Sequence, residues 1–142
     1  IYRELGKLEK EGAIISELIP QEGRPNKKLY RVTEEGITKL KTWLLEPGEP
    51  MTIREELLVK VIASELVPKS VILQEIERHR QIHLQKLSEY KDIKQREFPD
   101  TSQLSYRLKC LYLTLRCGIR YETYRIDWCE EAIALLSEET NV

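Results

Sequence analysis

Two long stretches of helical periodicity, one from about Lys69 to Phe98 and one from roughly Gln103 to Leu136, restrict the folds open to this chain more than any other feature. Each carries apolar residues on two sides. On a helical wheel Ile72, Leu73, Ile76, Leu84, Leu87 and Tyr90 of the first stretch form one broad face, with Val71, Ile82 and Ile93 on the other side. In the second, Leu104, Leu108, Leu111, Leu115, Ile119, Ile126 and Ile133 lie opposite Tyr106, Leu113, Tyr121, Tyr124, Trp128 and Leu135. A helix apolar on two faces needs two partners. At 1.5 Å per residue the second is roughly 50 Å long, more than a small domain encloses. A second copy of the chain is therefore expected to cover one face, with Leu84, Leu87, Tyr106, Leu113, Tyr121, Tyr124 and Trp128 at the contact.

With 41% hydrophobic and 33% charged residues, the chain is too apolar for a disordered segment and too charged to span a membrane. Its formal charge of -1 excludes a generally basic coat, so any nucleic-acid contact must come from a local patch. Cys110, Cys117 and Cys129 form no CxxC pair, and this odd count fits a reducing cytoplasm. The opening Ile-Tyr-Arg carries no signal-peptide pattern. Helical periodicity is already under way there without an N-cap, so the first helix is expected to have begun upstream.

Residues 1 to 11 set Ile1, Leu5 and Leu8 at helical spacing and Tyr2, Arg3, Lys7 and Lys10 on other faces, with Gly12 as the stop. Ala13 to Ile19 and Lys28 to Thr33 read as strands joined by the turn-forming run Pro20 to Asn26. Thr33 is placed to cap a helix beginning Glu34-Glu35, whose buried face would be Ile37, Leu40 and Leu44 with Trp43 alongside. Glu46-Pro-Gly-Glu-Pro50 ends that helix and marks a linker, giving domains 1–46 and 51–138. A further helix is expected from Thr52 to Leu66, carrying Ile53, Leu57, Val61 and Ile62.

The fold class is thus mainly α: a partial winged helix-turn-helix with a β-hairpin wing, followed by a long-helix dimerisation domain. In such a module the helix before the hairpin enters the DNA major groove. Arg3 can pair with guanine O6 and N7, whereas Tyr2 and Lys7 suit phosphate. The hairpin adds Arg24, Lys27, Lys28 and Arg31 with no acidic residue between Arg24 and Arg31. Taken alone, a charge run of that kind is usually a solvated turn; following a basic amphipathic helix in this order, it reads as a DNA-contacting wing.

The residues also carry a resemblance. Tyr2, Leu5, Leu8, Glu9 and Gly12 match the Tyr, Leu, Leu-Glu and Gly positions of the recognition helix in PadR-type transcriptional regulators, and Gly23-Arg-Pro-Asn-Lys-Lys-Leu-Tyr-Arg-Val-Thr-Glu-Glu-Gly36 resembles that family's wing. The later helices, including the Gly118 region and the Asp127-Trp128 pair, are similar to its C-terminal domain. The resemblance implies a homodimer that binds a palindromic operator in double-stranded DNA, usually to repress transcription, in some members answering a small aromatic or hydrophobic effector. By the same resemblance Tyr2, Arg3 and Lys7 would face the major groove, and Arg24, Lys27 and Lys28 the backbone or minor groove. Helices that precede this point in the family have no counterpart in this sequence.

Other constellations carry less. His79 and His83 stand four apart, the spacing for two metal ligands, but without HExxH or a third ligand they read as surface or dimer-seam histidines. Cys110 and Cys117 read as small buried hydrophobes, with redox sensing the lesser alternative. Tyr106, Tyr112, Tyr121, Tyr124 and Trp128 serve core and dimer packing or a ligand pocket equally well. No phosphate loop or catalytic triad pattern is present, so no cofactor, metal or enzymatic activity is expected. The competing readings are a winged-helix protein-interaction module and a small enzyme or ligand carrier using the aromatic cavity between the helices.

Overall fold

The computed structural model describes residues 2–21, 23 and 25–138. Its elements run α1 (Tyr2–Lys10), β1 (Ile14–Ile19), β2 (Lys27–Val32), α2 (Glu34–Leu45), α3 (Glu56–Ile62), a 3-10 turn (Ser64–Leu66), α4 (Lys69–Glu97) and α5 (Tyr106–Ser137). The chain forms two compact units that divide between Thr52 and Ile53. No described helix is long and apolar enough to cross a membrane.

The first unit is built around the end of α1. The Gly12 amide donates to Glu9 O at 3.1 Å and the Ala13 amide to Leu8 O at 2.9 Å, the paired bonds of a Schellman cap. This cap needs a left-handed residue after the helix, and Gly12 supplies it at φ +70°. The chain then enters β1, which pairs antiparallel with β2 in the register Ile14–Val32 to Ile19–Lys27. Thr33 follows as the N-cap of α2: its hydroxyl accepts from the Gly36 amide at 3.0 Å and donates to Gly12 O at 2.6 Å. One side chain thereby starts α2 and holds it against the end of α1.

Gly36 makes that contact possible. A Cβ there would stand 2.0 Å from the carbonyl oxygen of Ala13, an oxygen already accepting from the Thr33 amide. The rest of α2 departs from expectation. Ile37, Leu40, Trp43 and Leu44 are exposed, and Gly36 is its buried residue, because no described element covers the opposite side of the helix.

The second unit packs α3, α4 and α5 around Leu57, Ile72, Ile76 and Cys129, with Val61, Trp128, Ala132, Ile133 and Leu136 against them. The inward positions of α5, namely Tyr112, Leu115, Ile119, Glu122, Ile126, Cys129, Ile133 and Leu136, alternate steps of three and four. That is the seam of a helix wound along one neighbour, and the neighbour is α4. Gly118 fits the same contact, since the Tyr90 ring lies 3.0 Å from where its Cβ would stand.

Several expectations are corrected here. Residues 51–55 are not helical: α3 begins only after Glu55, and a 3-10 turn replaces its expected last turns. Leu87 is buried within the chain and so is not available to a partner. Cys110 and Cys117 are exposed, because they lie on the side of α5 turned away from α4.

Candidate DNA-binding surface

The cationic side of α1 is open. Tyr2 is 84% exposed and the Arg3 side chain 86%, and Lys7 lies one turn beyond Arg3. This follows from the helix period. Leu5 is half-buried on the other side of the helix, which leaves Arg3 and Lys7, four residues apart, together in solvent. Ile1, expected on the packing face, lies outside the described residues. The surface is not purely basic. Glu4 approaches Arg3 Nε at 3.4 Å and Lys7 Nζ at 3.2 Å, so one carboxylate engages both cations.

Glu9, on the flank of α1 nearest the hairpin, ties the wing to the helix. It accepts from the Ser16 hydroxyl on β1 and from Lys28 Nζ on β2 at 3.1 Å. The Ser16 hydrogen bond, and then Lys28, hold its carboxyl below the usual carboxylate range. Its hydrogen bond in turn raises the Lys28 ammonium above the usual lysine range. Lys28 also sits 5.1 Å from the centroid of the Tyr30 ring. Of the expected wing residues, Lys28 is thus joined to α1. Lys27 is exposed, with no ion pair among the described residues. Arg31 is paired across the hairpin with Glu17 at 3.2 Å. Arg24 lies outside the described residues.

The second unit contains a polar site that sequence reasoning missed. His83 Nδ1 lies 2.5 Å from Glu122 Oε2, and the Arg125 Nε–H donates to His83 Nε2 at 3.5 Å. The Arg125 guanidinium also donates to Glu55, directly before α3, and stacks 5.1 Å over Trp128. His83, Glu122 and Arg125 are all buried, so this chain of contacts satisfies charges that would otherwise be costly. His83 is therefore neither a surface histidine nor a dimer-seam residue, because it is buried within the chain. His79 lies nearer the surface, and burial, then Arg78, lowers its pKa. The available signal was Glu122 itself, a carboxylate on the otherwise apolar three-four seam of α5.

Of the residues expected at a dimer contact, Tyr106, Leu113, Tyr121 and Tyr124 form an exposed series on α5. Leu84 is half-buried on α4, and Trp128 is half-buried against the core. Elsewhere in this unit an open apolar groove of about 630 Å³ lies over Ala63, Leu66, Val67, Val71 and Ile72. At its rim Glu75 pairs with Arg78 at 2.9 Å and Lys60 at 3.1 Å, which lowers its pKa to about 2.

Residues 53–137 match the family described as Virulence activator alpha C-term. The "Probable transcriptional regulator Rv1176c" of Mycobacterium tuberculosis is 29% identical over 149 residues, taking in 98% of this chain and 79% of that protein. The structure of smu.1604c from Streptococcus mutans UA159 aligns with a TM-score of 0.76 at 26% identity, over 94% of this chain and 76% of that one. Bacillus subtilis PadR in complex with p-coumaric acid aligns with a TM-score of 0.68 at 25% identity, over 96% and 76% of the two chains. The same protein in complex with operator DNA gives 0.65 at 23% identity, over 96% and 77%, a likeness of fold. With a family match across more than half of its length, and a helix and basic hairpin arranged as in a winged helix ahead of it, the chain belongs to the PadR family of transcriptional regulators.

Proposed function

We propose that the protein acts as a homodimeric, cytoplasmic repressor that binds a palindromic operator, has no catalytic step, and is released by a small aromatic or hydrophobic effector. The observation that carries this reading is the open face of Tyr2, Arg3 and Lys7 on α1, beside a basic hairpin braced to the same helix by Glu9. Arg3 and Lys7 then lie in the major groove, Tyr2 fixes register on phosphate, and Arg24 and Lys27 reach the backbone or minor groove. Lys28 serves the wing mainly through its bond to Glu9. The exposed α5 series from Tyr106 to Tyr124, with Leu84 and Trp128 beside it, meets its counterpart in a second copy. The effector part of the reading is supported by a relative, Bacillus subtilis PadR, whose structure holds p-coumaric acid.

Selection of bound duplexes from a random DNA pool by the intact protein tests this reading. Enrichment of an inverted repeat, with half-sites about one helical turn apart or a multiple of it, is the expected result. Binding without any enriched motif, or with a single unrepeated one, would overturn it.

A further inference from the structure

We propose that Glu4 is a specificity-determining residue of α1. In the free protein its carboxylate engages Arg3 and Lys7, and it yields them to DNA only where an exocyclic amino group, N4 of cytosine or N6 of adenine, takes their place in the major groove. This inference rests on the operator reading above.

An acidic side chain on a surface that meets phosphate is repelled by it, so Glu4 would be expected to weaken binding to every DNA sequence alike. Its geometry says more than that. The side chain of Glu4 is exposed, so nothing in the unit requires a carboxylate there for packing. It lies one residue from Arg3 and three from Lys7, with contacts of 3.4 Å and 3.2 Å, so it draws on both cations offered to DNA by this side of the helix. Pairs this exposed are worth little and are readily exchanged for a better partner. A phosphate is the wrong partner for a carboxylate. A base-edge amino group is the right one, because a carboxylate accepts from cytosine N4 while an arginine beside it reads the guanine O6 and N7 of a neighbouring pair. Glu4 therefore taxes random DNA, where its cations must be taken without compensation, and not a site that supplies a donor.

The test compares the intact wild-type protein with Glu4→Gln and Glu4→Ala, using the wild-type selected operator and a random duplex of equal length at several salt concentrations. Each variant is also put through a fresh selection. Glu4→Gln keeps the shape and removes the charge, and matching melting curves establish that both variants fold. The expected result is tighter binding of random DNA by both variants, a loss of operator preference over random DNA of about tenfold, as for a single base-edge contact, and relaxed base choice at one position of each half-site. If both affinities rise together, with the selected motif and the operator preference unchanged, Glu4 is only a general electrostatic brake and the proposal is overturned. A wild-type protein that enriches no motif overturns the operator reading, and this proposal with it.

Discussion

His83 and Glu122 meet across the α4–α5 seam at 2.5 Å, two buried polar groups joining the two helices. Removing one partner strands the other, so Glu122→Ala is expected to lower stability by about 2–3 kcal/mol in urea unfolding. The double change His83→Leu with Glu122→Leu should cost clearly less than the sum of the two single changes. Additive losses would mean that the two groups are not coupled.

Gly36→Ala is a test of the junction between α1 and α2. The added methyl would meet Ala13 O, a backbone atom that cannot rotate away. A loss of about 2 kcal/mol is expected, typical of overpacking. Amide exchange should also accelerate at Thr33 and Gly36, whose hydrogen bonds share the contact. An unchanged melting temperature would show that α2 can shift at no cost.

The two wing lysines should behave differently. Lys27→Ala is expected to reduce the slope of log affinity against log salt by about 0.9, the signature of one lost phosphate contact. Lys28→Ala should act chiefly on the wing, raising amide exchange in β2, because its ammonium is bonded to Glu9. Equal salt effects from both changes would place Lys28 on the phosphate as well.

Leu113→Arg together with Tyr124→Arg puts two charges on the exposed side of α5, where the fold of the single chain does not need apolar groups. Light scattering should then report one chain where the unaltered protein gives two. A dimer that survives both changes would require a contact elsewhere.

Acid sensitivity has a local source in Glu75. Its bonds to Arg78 and Lys60 lower the folded pKa from 4.5 to about 2. A depressed carboxylate contributes stability that is complete above the unfolded value and lost as pH falls through the folded one. The contribution of Glu75 therefore disappears between about pH 4.5 and 2. Glu75→Gln should flatten the unfolding midpoint against pH across that window; an identical slope in both proteins would show that the bonds to Arg78 and Lys60 add nothing.

Much of the fold was legible before any coordinates. The cap at Thr33, the stop at Gly12, the hairpin and the two long helices follow from local rules of capping, turn chemistry and period, which act within a few residues. The cationic side of α1 was legible for the same reason, since residues three and four apart share a face. The role of Glu9 was not. Its bonds to Ser16 and Lys28 depend on how the hairpin folds back over α1, a long-range event that helical spacing does not register.

The same division holds for the second unit. Its sequence alone determined that two long helices must pair along apolar seams, because hydrophobic periodicity is a property of residues three and four apart. Only the tertiary structure decided which apolar side of α5 faces α4, and with it the burial of Leu87 and the exposure of Cys110 and Cys117. It alone brought Glu55 into one chain of contacts with the buried His83, Glu122 and Arg125. Those residues come from the approach to α3 and from two different helices, and the energy of a buried charge depends on what stands opposite it rather than on what precedes it in sequence.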